Sequence, residues 1–342
     1  MHFFILLLSV IIGCLSDINV SIDQTGGYEI HINNKIWLRS SRTGLYTNNK
    51  WYSSDNKSLS LMNITTDHGT DRHLGSWNET QLNYDLNLDE KHIKIVAGIR
   101  QWHQIPAITF HLNTGDQTLT NTNPLDKNQV RTIFPSFNIE KIDVHDNRSY
   151  FTFEGVMTGD DNKHAGNWNS SSKVIRSGIE GGPVVIFNQT QRGERDILIL
   201  SPFSRFMATS LTQTDNILEY GVMGSMRSIT PNYNHSFIIF YSSKGINEGV
   251  RHWGQTMQKA YNRTNQYRIN DLTINYLGYY TDNGAYYYYN TEQNKNYEQT
   301  MLDVMHNISL PIHYLQIDSW WYYKGIDKGV SEWTALPDIF PN

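Results

Sequence analysis

A chain of 342 residues is long for a single domain, so two domains are the natural expectation. The formal net charge of -5 gives no general electrostatic basis for binding nucleic acid, which is therefore not an expected partner. Charged residues make up only 18% of the chain, and the remaining polar residues are mainly Asn, Ser and Thr. This composition is typical of a secreted β-rich protein rather than of a disordered one.

The N-terminal residues 1–16 have the pattern of a secretory signal peptide. Phe3–Ile12 is a short apolar run, and small residues follow it before Asp17. The run is too short to span a bilayer, and the alternatives are a buried first strand or a membrane anchor. We expect cleavage near Ser16, a secreted or lumenal protein of the ER and lysosome pathway, and no membrane association after cleavage. Cleavage would remove Cys14, the only cysteine, so neither a disulfide nor a zinc–cysteine site is expected.

N-glycosylation sequons of the N-x-S/T type are more frequent than expected. The chain has ten, about twice the number that chance gives in a sequence so rich in Asn, Ser and Thr. This excess favours secretion from a eukaryotic cell and predicts a glycoprotein. The sequons that we expect to carry glycans begin at Asn56, Asn63, Asn78, Asn147, Asn169, Asn188, Asn234 and Asn262. Two further sequons begin at Asn19 and Asn307.

Residues 17–245 contain one short apolar segment after another. Most segments are four to eight residues long and rich in Ile, Val, Tyr and Phe, as in Tyr28–Ile32, Ile105–Leu112 and Phe237–Tyr241. Turn residues such as Gly26-Gly27 separate them. This alternation predicts an antiparallel β-sandwich.

The thirteen histidines raise the question of a metal site. His68 and His73 flank Asp71, but their spacing fits no common zinc site. Residues 160–162 resemble a calcium loop in composition only, without the full ligand pattern or the closing Glu. We therefore expect no metal and no other cofactor.

An amphipathic helix is predicted after the sandwich, within residues 246–268. Val250, Trp253 and Met257 recur at helical spacing in the segment Asn247–Tyr261. We interpret it as a linker helix that bridges two domains. The alternative is one more surface helix of the sandwich.

Residues 269–342 follow a strand–helix–strand pattern. Tyr276–Asp282 is the first predicted strand and Ile312–Ile317 the second. Between them Asn296–Asn307 predicts a helix, with Asn296 and Gln299 as a capping box. A parallel pair joined by a helix is typical of a (β/α)8 barrel or a doubly wound sheet.

Carboxylates and aromatic residues follow these two strands. Asp282 and Asp318 come at the C-terminal ends, where barrels build their active sites. Trp320 and Trp321 follow Asp318, and flat aromatic faces stack on the C–H faces of sugars while carboxylates bind their hydroxyls. We predict that these four residues bind substrate. The alternatives are a turn role for Asp282 in the T-D-N-G sequence, ordinary aromatic packing, or a catalytic pair of the two aspartates.

The same segment resembles the start of the catalytic barrel in glycoside hydrolase family 31, and also the related α-galactosidases and raffinose-synthase-like enzymes. The matching residues are Tyr279-Tyr280, Leu310-Pro311-Ile312, the run Gln316-Ile317-Asp318-Ser319-Trp320-Trp321, and Phe340-Pro341. The resemblance implies a mainly β, galactose-mutarotase-like N-terminal sandwich followed by a TIM barrel that is truncated after about two strands. It also implies that Asp318 binds hydroxyls of the sugar.

The family's nucleophile and acid/base would lie beyond Asn342, so the resemblance assigns no catalytic residue within the chain. It implies a retaining α-glycosidase if the barrel is completed, inactivity of the chain alone, and a carbohydrate as substrate or ligand. Two alternatives stay open: a carbohydrate-binding pseudoenzyme, and a mutarotase-type sandwich with its own acid/base pair.

Overall fold

A computed structural model describes residues 18–88, 91–123, 129–153, 163–175, 183–188, 195–224, 226–263, 265–281, 294–318, 321–326 and 329–340. The predicted signal peptide, residues 1–16, lies outside these ranges. The chain divides into two compact units, Met1–Arg263 and Thr264–Asn342, which we describe separately.

The described part of the first unit consists almost entirely of strands, from 2 to 14 residues long, and ends in one helix. Its strands are β1 (Ile18–Ile22), β2 (Tyr28–Ile32), β3 (Lys35–Arg39), β4 (Gly44–Thr47), β5 (Lys50–Ser53), β6 (Leu59–Asp71), β7 (Gly75–Leu88), β8 (Lys91–Trp102), β9 (Ala107–Asn113), β10 (Leu119–Thr120), β11 (Thr132–Ile133), β12 (Ser136–Asn138), β13 (Arg148–Phe153), β14 (Lys163–Asn167), β15 (Val184–Asn188), β16 (Ile197–Pro202), β17 (Thr209–Thr214), β18 (Ile217–Val222), β19 (Ser228–Ile229) and β20 (Asn234–Ser242). The helix is α1 (Gly245–Ala260).

Nine of these strands form one large sheet in the order β14-β13-β15-β16-β20-β9-β8-β7-β6. Every neighbouring pair in it is antiparallel. The small sheets β1-β2-β3, β11-β4-β5, β12-β18-β17 and β10-β19 contribute to the same hydrophobic core as one face of the large sheet. The prediction of a β-rich, antiparallel architecture is therefore confirmed.

An aromatic cluster lies at the centre of this core. The ring of Tyr28, from a small sheet, lies 5.5 Å from that of Phe110 in the large sheet, and Phe134 and Phe137 complete the cluster at 5.7–6.0 Å. All four side chains are at most 4% exposed. Burying one such side chain contributes about 1.5–3 kcal/mol, more than a typical surface ion pair. The cluster therefore holds the two layers together.

Helix α1 covers part of the opposite face of the large sheet. Trp253 and Met257 pack on the apolar surface formed by Ile197, Ile238 and other residues of β16, β20 and their neighbours. The indole of Trp253 also donates a hydrogen bond to the Ser201 hydroxyl (3.1 Å). The helix thus belongs to the first unit, and its predicted role as a bridge between domains stays a prediction.

The described residues of the second unit begin with a 3-10 helix, Asn265–Asn270, and include two further helices and four strands. They are α2 (Leu272–Asn275), β21 (Leu277–Tyr280), α3 (Tyr297–Asn307), β22 (Ile312–Gln316), β23 (Tyr322–Lys324) and β24 (Val330–Ala335). β21 and β22 pair in parallel with α3 between them in sequence. The capping box of Asn296 and Gln299 is present at the start of α3. β23 and β24 form an antiparallel hairpin, which the sequence pattern did not predict.

No helix in the part of the chain that the structure describes is long and apolar enough to cross a membrane.

Two histidines of the first unit, His111 and His235, connect its stability to pH, because burial lowers the pKa of each. His235 on β20 is fully buried, its Nε2 lies 3.3 Å from the Thr132 hydroxyl, and its Nδ1 has no hydrogen-bond partner among the described residues. Burial lowers the pKa of His235 to about 3. In an unfolded chain a histidine has a pKa of about 6.5. Below that pH the unfolded state therefore binds a proton that the folded state excludes.

We predict that the free energy of unfolding falls as the pH drops from 7.5 to 5. His235 alone should account for about 2 kcal/mol of this loss, because 1.5 pH units correspond to about 2 kcal/mol. Urea unfolding followed by tryptophan fluorescence at the two pH values measures it. His235→Asn should flatten the pH dependence even if it lowers stability at both pH values, whereas His92→Asn, whose side chain is 67% exposed, should not. Equal slopes in His235→Asn and the parent would contradict the assignment.

Candidate functional site

The C-terminal ends of β21 and β22 lie side by side in the second unit. Tyr280 pairs with Gln316 in the parallel register, and the backbone N–H of Thr281 donates to the carbonyl of Gln316 (3.2 Å). Two residues further on, the backbone N–H of Asp318 donates to the Thr281 hydroxyl (3.2 Å). These bonds fix the backbone of Asp318 at the edge formed by both strand ends.

The carboxylate of Asp318 is half-buried and contacts a phenol. The Tyr280 hydroxyl lies 3.4 Å from Asp318 Oδ1, near the limit for donating a hydrogen bond, and the Tyr280 side chain is 40% exposed. Carboxylate oxygens accept more than one hydrogen bond. The Asp318 side chain is partly exposed at a surface that solvent reaches.

A small buried cluster supports this edge. Thr281 and Tyr297, the first residue of α3, are both fully buried, and the ring of Phe340 lies 5.8 Å from that of Tyr297 in an edge-to-face arrangement. Burial raises the pKa of Tyr297 to about 12, so its hydroxyl stays protonated at neutral pH. The cluster thus joins the end of β21 to the start of α3.

The β23–β24 hairpin carries an aromatic surface that begins three residues after Asp318. The ring of Trp333 lies 4.9 Å from those of both Trp321 and Tyr322. The backbone N–H of Leu336 donates to the carbonyl of Trp321 (2.8 Å), which ties Trp321 to the far end of the hairpin. Trp333 is 69% exposed while Tyr322 is buried, so the indole of Trp333 presents a large apolar face to solvent.

The structure describes two of the four predicted substrate-binding residues. Asp318 lies at the paired strand ends, and Trp321 is half-buried against Trp333. Asp282 and Trp320 lie outside the described residues, so their roles in substrate binding stay predictions and the alternative of a catalytic pair of Asp282 and Asp318 stays open. Tyr280 and Trp333 were not predicted as site residues. The β-branched and aromatic residues of the segment V-S-E-W-T-A were the available signal for a strand.

A carboxylate and exposed aromatic faces within one segment can bind a sugar ring. The carboxylate accepts hydroxyl protons in charge-assisted hydrogen bonds, and the aromatic faces pack on C–H groups. Hydrolysis of a glycosidic bond needs two carboxyl groups, about 5–5.5 Å apart in retaining enzymes.

The first unit contains a buried carboxylate that the sequence did not single out. Glu219 on β18 accepts hydrogen bonds from Arg42 Nε and Nη2 on Oε1 (3.0 and 2.8 Å) and from the Thr214 hydroxyl on Oε2 (3.0 Å). Burial raises its pKa despite the Arg42 guanidinium. Because both carboxylate oxygens already accept hydrogen bonds, this arrangement is that of a structural ion pair. It does not by itself provide the acid/base pair of a mutarotase-type sandwich.

The described residues contain no cluster of His, Cys, Asp and Glu that could hold a metal ion. Asp71, between His68 and His73, accepts hydrogen bonds from the backbone N–H groups of His73 and Leu74 (2.7 and 2.8 Å). Its carboxylate therefore stabilises the turn between β6 and β7.

Comparison with known proteins gave no matching family model, and no curated protein sequence matched. Two solved structures of an α-N-acetylgalactosaminidase from Bifidobacterium bifidum are similar in fold. The ligand-free form has a TM-score of 0.54 and the GalNAc complex one of 0.53, both at 10% sequence identity. They match 95% and 91% of this chain and 54% and 52% of their own chains. The chain thus spans about half the length of these neighbours.

A glycoside hydrolase family 36 α-galactosidase from Geobacillus stearothermophilus, solved with stachyose, has a TM-score of 0.47 at 11% identity. It matches 95% of this chain, which covers 44% of that enzyme. The chain has a glycoside-hydrolase-like fold. The comparisons do not single out family 31, which the sequence resemblance had named first.

We predict that Trp333→Ala destabilises the β23–β24 hairpin without affecting the first unit. The substitution removes the ring contacts with Trp321 and Tyr322, and each aromatic pair is worth about 0.5–1.5 kcal/mol beyond its buried area. Limited chymotrypsin digestion followed by mass spectrometry should show faster cleavage between residues 321 and 335. Trp333→Phe should restore most of the protection, and Val330→Ala, at another exposed position of the hairpin, should have little effect. Unchanged cleavage in Trp333→Ala would show that the ring contacts contribute nothing.

Proposed function

We propose that this chain is the sandwich and first β/α unit of a secreted α-glycosidase, and that its second unit binds a terminal α-linked sugar of the galactose type. The observation that carries the proposal is the position of Asp318, whose backbone is fixed to Thr281 at the adjoining ends of two parallel strands. In open and closed α/β folds, ligands bind at this edge of the sheet.

The choice of sugar rests on the neighbour in fold from Bifidobacterium bifidum, an α-N-acetylgalactosaminidase solved with GalNAc. Galactose and N-acetylgalactosamine share the axial 4-hydroxyl and the apolar face next to it. An exposed indole such as Trp333 suits that apolar face, and a carboxylate such as Asp318 suits the hydroxyls.

Exposed apolar residues support a barrel that extends beyond the two parallel strands. Parallel sheets are normally covered on both faces. Here Leu277 and Tyr280 of β21 are 47% and 40% exposed, and Leu315 of β22 is 41% exposed. Further strands and helices of a (β/α)8 barrel would cover these side chains. In such a barrel the retaining nucleophile and the acid/base would come from later strands, and Asp318 would be a binding residue.

The positions of the sequons support a secreted glycoprotein. None of the ten sequon asparagines is buried, and seven are exposed, while Asn19, Asn169 and Asn188 are half-buried. An asparagine that carries a glycan has to reach solvent in the folded protein, which all ten satisfy. The signal peptide that would direct secretion is proposed from residues 1–16 alone.

We predict that the chain binds methyl α-galactoside or methyl α-GalNAc without hydrolysing the matching aryl glycosides. Ligand-observed NMR measures binding, and release of the aryl group measures hydrolysis. Asp318→Ala should weaken binding at least tenfold, because each charge-assisted hydrogen bond to a hydroxyl is worth about 1.5–3 kcal/mol. Its melting temperature should stay close to that of the parent. The matched control is Asp338→Asn, an exposed carboxylate of the same unit.

Two results would contradict this proposal. Unchanged binding in Asp318→Ala, with binding lost only when the first unit is altered, would favour a sandwich-based binding protein. Turnover of an aryl glycoside that disappears in Asp318→Asn would show that Asp318 is catalytic rather than a binding residue.

A further inference from the structure

The first unit has an open groove between β1 and strands β6, β7 and β8 of the large sheet. The groove has a volume of about 350 Å³, within the range of small-molecule sites. Its apolar lining comes from Val20 and Ile22 of β1 together with Ile64 and Ile99 of the large sheet. Its polar lining consists of Asp23, Gln24, Asn78, Thr80 and Gln101. A pyranose ring has apolar C–H faces and polar hydroxyl groups. The groove offers both kinds of partner, namely apolar side chains for the C–H faces and amide, hydroxyl and carboxylate groups for the hydroxyls.

Two of the lining residues belong to one N-glycosylation sequon, Asn78-Glu79-Thr80. The sequon lies in β7, where alternate side chains point to opposite faces of the sheet. Asn78 and Thr80 line the groove, and Glu79 points to the other face, where Arg100 binds it at 2.7 Å. Asn78 is exposed, so a glycan attached to its side-chain nitrogen would start inside the groove.

We propose that the groove binds the N-linked glycan on Asn78, and that the first N-acetylglucosamine residues of this glycan pack into it. The apolar face of the first sugar would lie on Ile64 and Ile99, and its hydroxyl and acetamido groups would meet Gln101, Asp23 and Gln24. The glycan would then join β1, at the edge of the small layer, to β7 and β8 of the large sheet. A covalently attached ligand needs little affinity, because its effective concentration is high.

The neighbouring strand offers a matched comparison within the same molecule. Asn63, in β6, starts another sequon and is exposed. In the β6–β7 register Asn63 pairs with Asn83 and Ile64 with Leu82, so Asn63 and the groove-lining Ile64 point to opposite faces. A glycan on Asn63 would therefore extend into solvent on the other side of the same hairpin. The proposal therefore predicts different surroundings for the glycans on Asn63 and Asn78, although both asparagines lie in the same hairpin.

The test is to secrete the whole chain from a eukaryotic host and to follow enzymatic glycan release site by site with mass spectrometry. In the native protein we expect an N-glycanase to release the Asn78 glycan at least tenfold more slowly than the Asn63 glycan. After denaturation the two rates should be equal. Ile22→Trp fills the groove and leaves every sequon intact, so it should raise the native rate at Asn78 towards that at Asn63. A cooperative thermal unfolding transition, followed by circular dichroism, shows that this variant is folded.

A second measurement tests the stabilising role. Asn78→Gln should lower the melting temperature by about 2–4 °C, the shift expected for the loss of roughly 1 kcal/mol in a domain of this size, whereas Asn63→Gln should leave it unchanged. The proposal is overturned if Asn78 carries no glycan in the secreted protein. Equal native release rates at the two sites, or slow release at Asn78 that persists in Ile22→Trp, would also overturn it. This inference rests on the secretion proposed above, but none of these outcomes depends on sugar binding by Asp318, so the inference and the proposed sugar binding can fail separately.

Discussion

The burial of β16 and β20 on both faces is the constraint on which the first unit depends. All six residues of β16 are buried, and so are eight of the nine residues of β20. Alternate side chains of one strand enter different apolar clusters: Leu198 and Leu200 face the small sheets, and Ile197 and Ile199 face helix α1. Neither the small sheets nor the helix could be removed without exposing these strands to water.

Helix α1 can approach these strands closely because it carries a glycine at the contact. A Cβ atom built on Gly249 would lie 2.0 Å from Ile197 Cδ1, well inside van der Waals contact. A larger residue would move the helix away from the sheet, and the contacts of Trp253 and Met257 would be lost with it. Among its described residues the second unit has a much smaller buried set, Tyr297, Thr281, Thr300, Met301 and Tyr322, and many of its described apolar residues are exposed. The described parts of the two units therefore differ in how many apolar side chains they bury.

The sequence predicts a structural feature well where the residues that determine it are close together in the chain. The apolar runs that became β9 and β20, the helical spacing of Trp253 and Met257, and the capping box at Asn296 all depend on residues close together in the chain. The order of nine strands in one sheet depends on pairings between distant segments, such as Phe110 with Phe237, and no local pattern specifies it. The strand order of the large sheet could therefore not be read from the residues.

In the candidate site, too, the sequence predicted features that depend on nearby residues and missed contacts between distant ones. Asp318 and Trp321 were predicted because they follow an apolar strand directly. Tyr280 approaches Asp318 only through the parallel register of β21 and β22, and Trp333 meets Trp321 only through a hairpin with irregular register. Glu219 and Arg42 are 177 residues apart in sequence, so their ion pair had no sequence signal.

Strand β6 is the last strand of the large sheet among the described residues, and it is 13 residues long. Such an edge offers a long row of backbone donors and acceptors to any other extended chain, including a second copy of itself. A β-bulge at Met62, whose side chain is 67% exposed, is the only irregularity recorded in its pairing with β7. A bulky saccharide on Asn63, next to that bulge, would obstruct the approach of another strand. Protein made in bacteria would lack this saccharide, and its β6 edge would then be open to pairing with another strand. Its tendency to form oligomers or fibrils at high concentration would reflect the expression host rather than any fault of the fold.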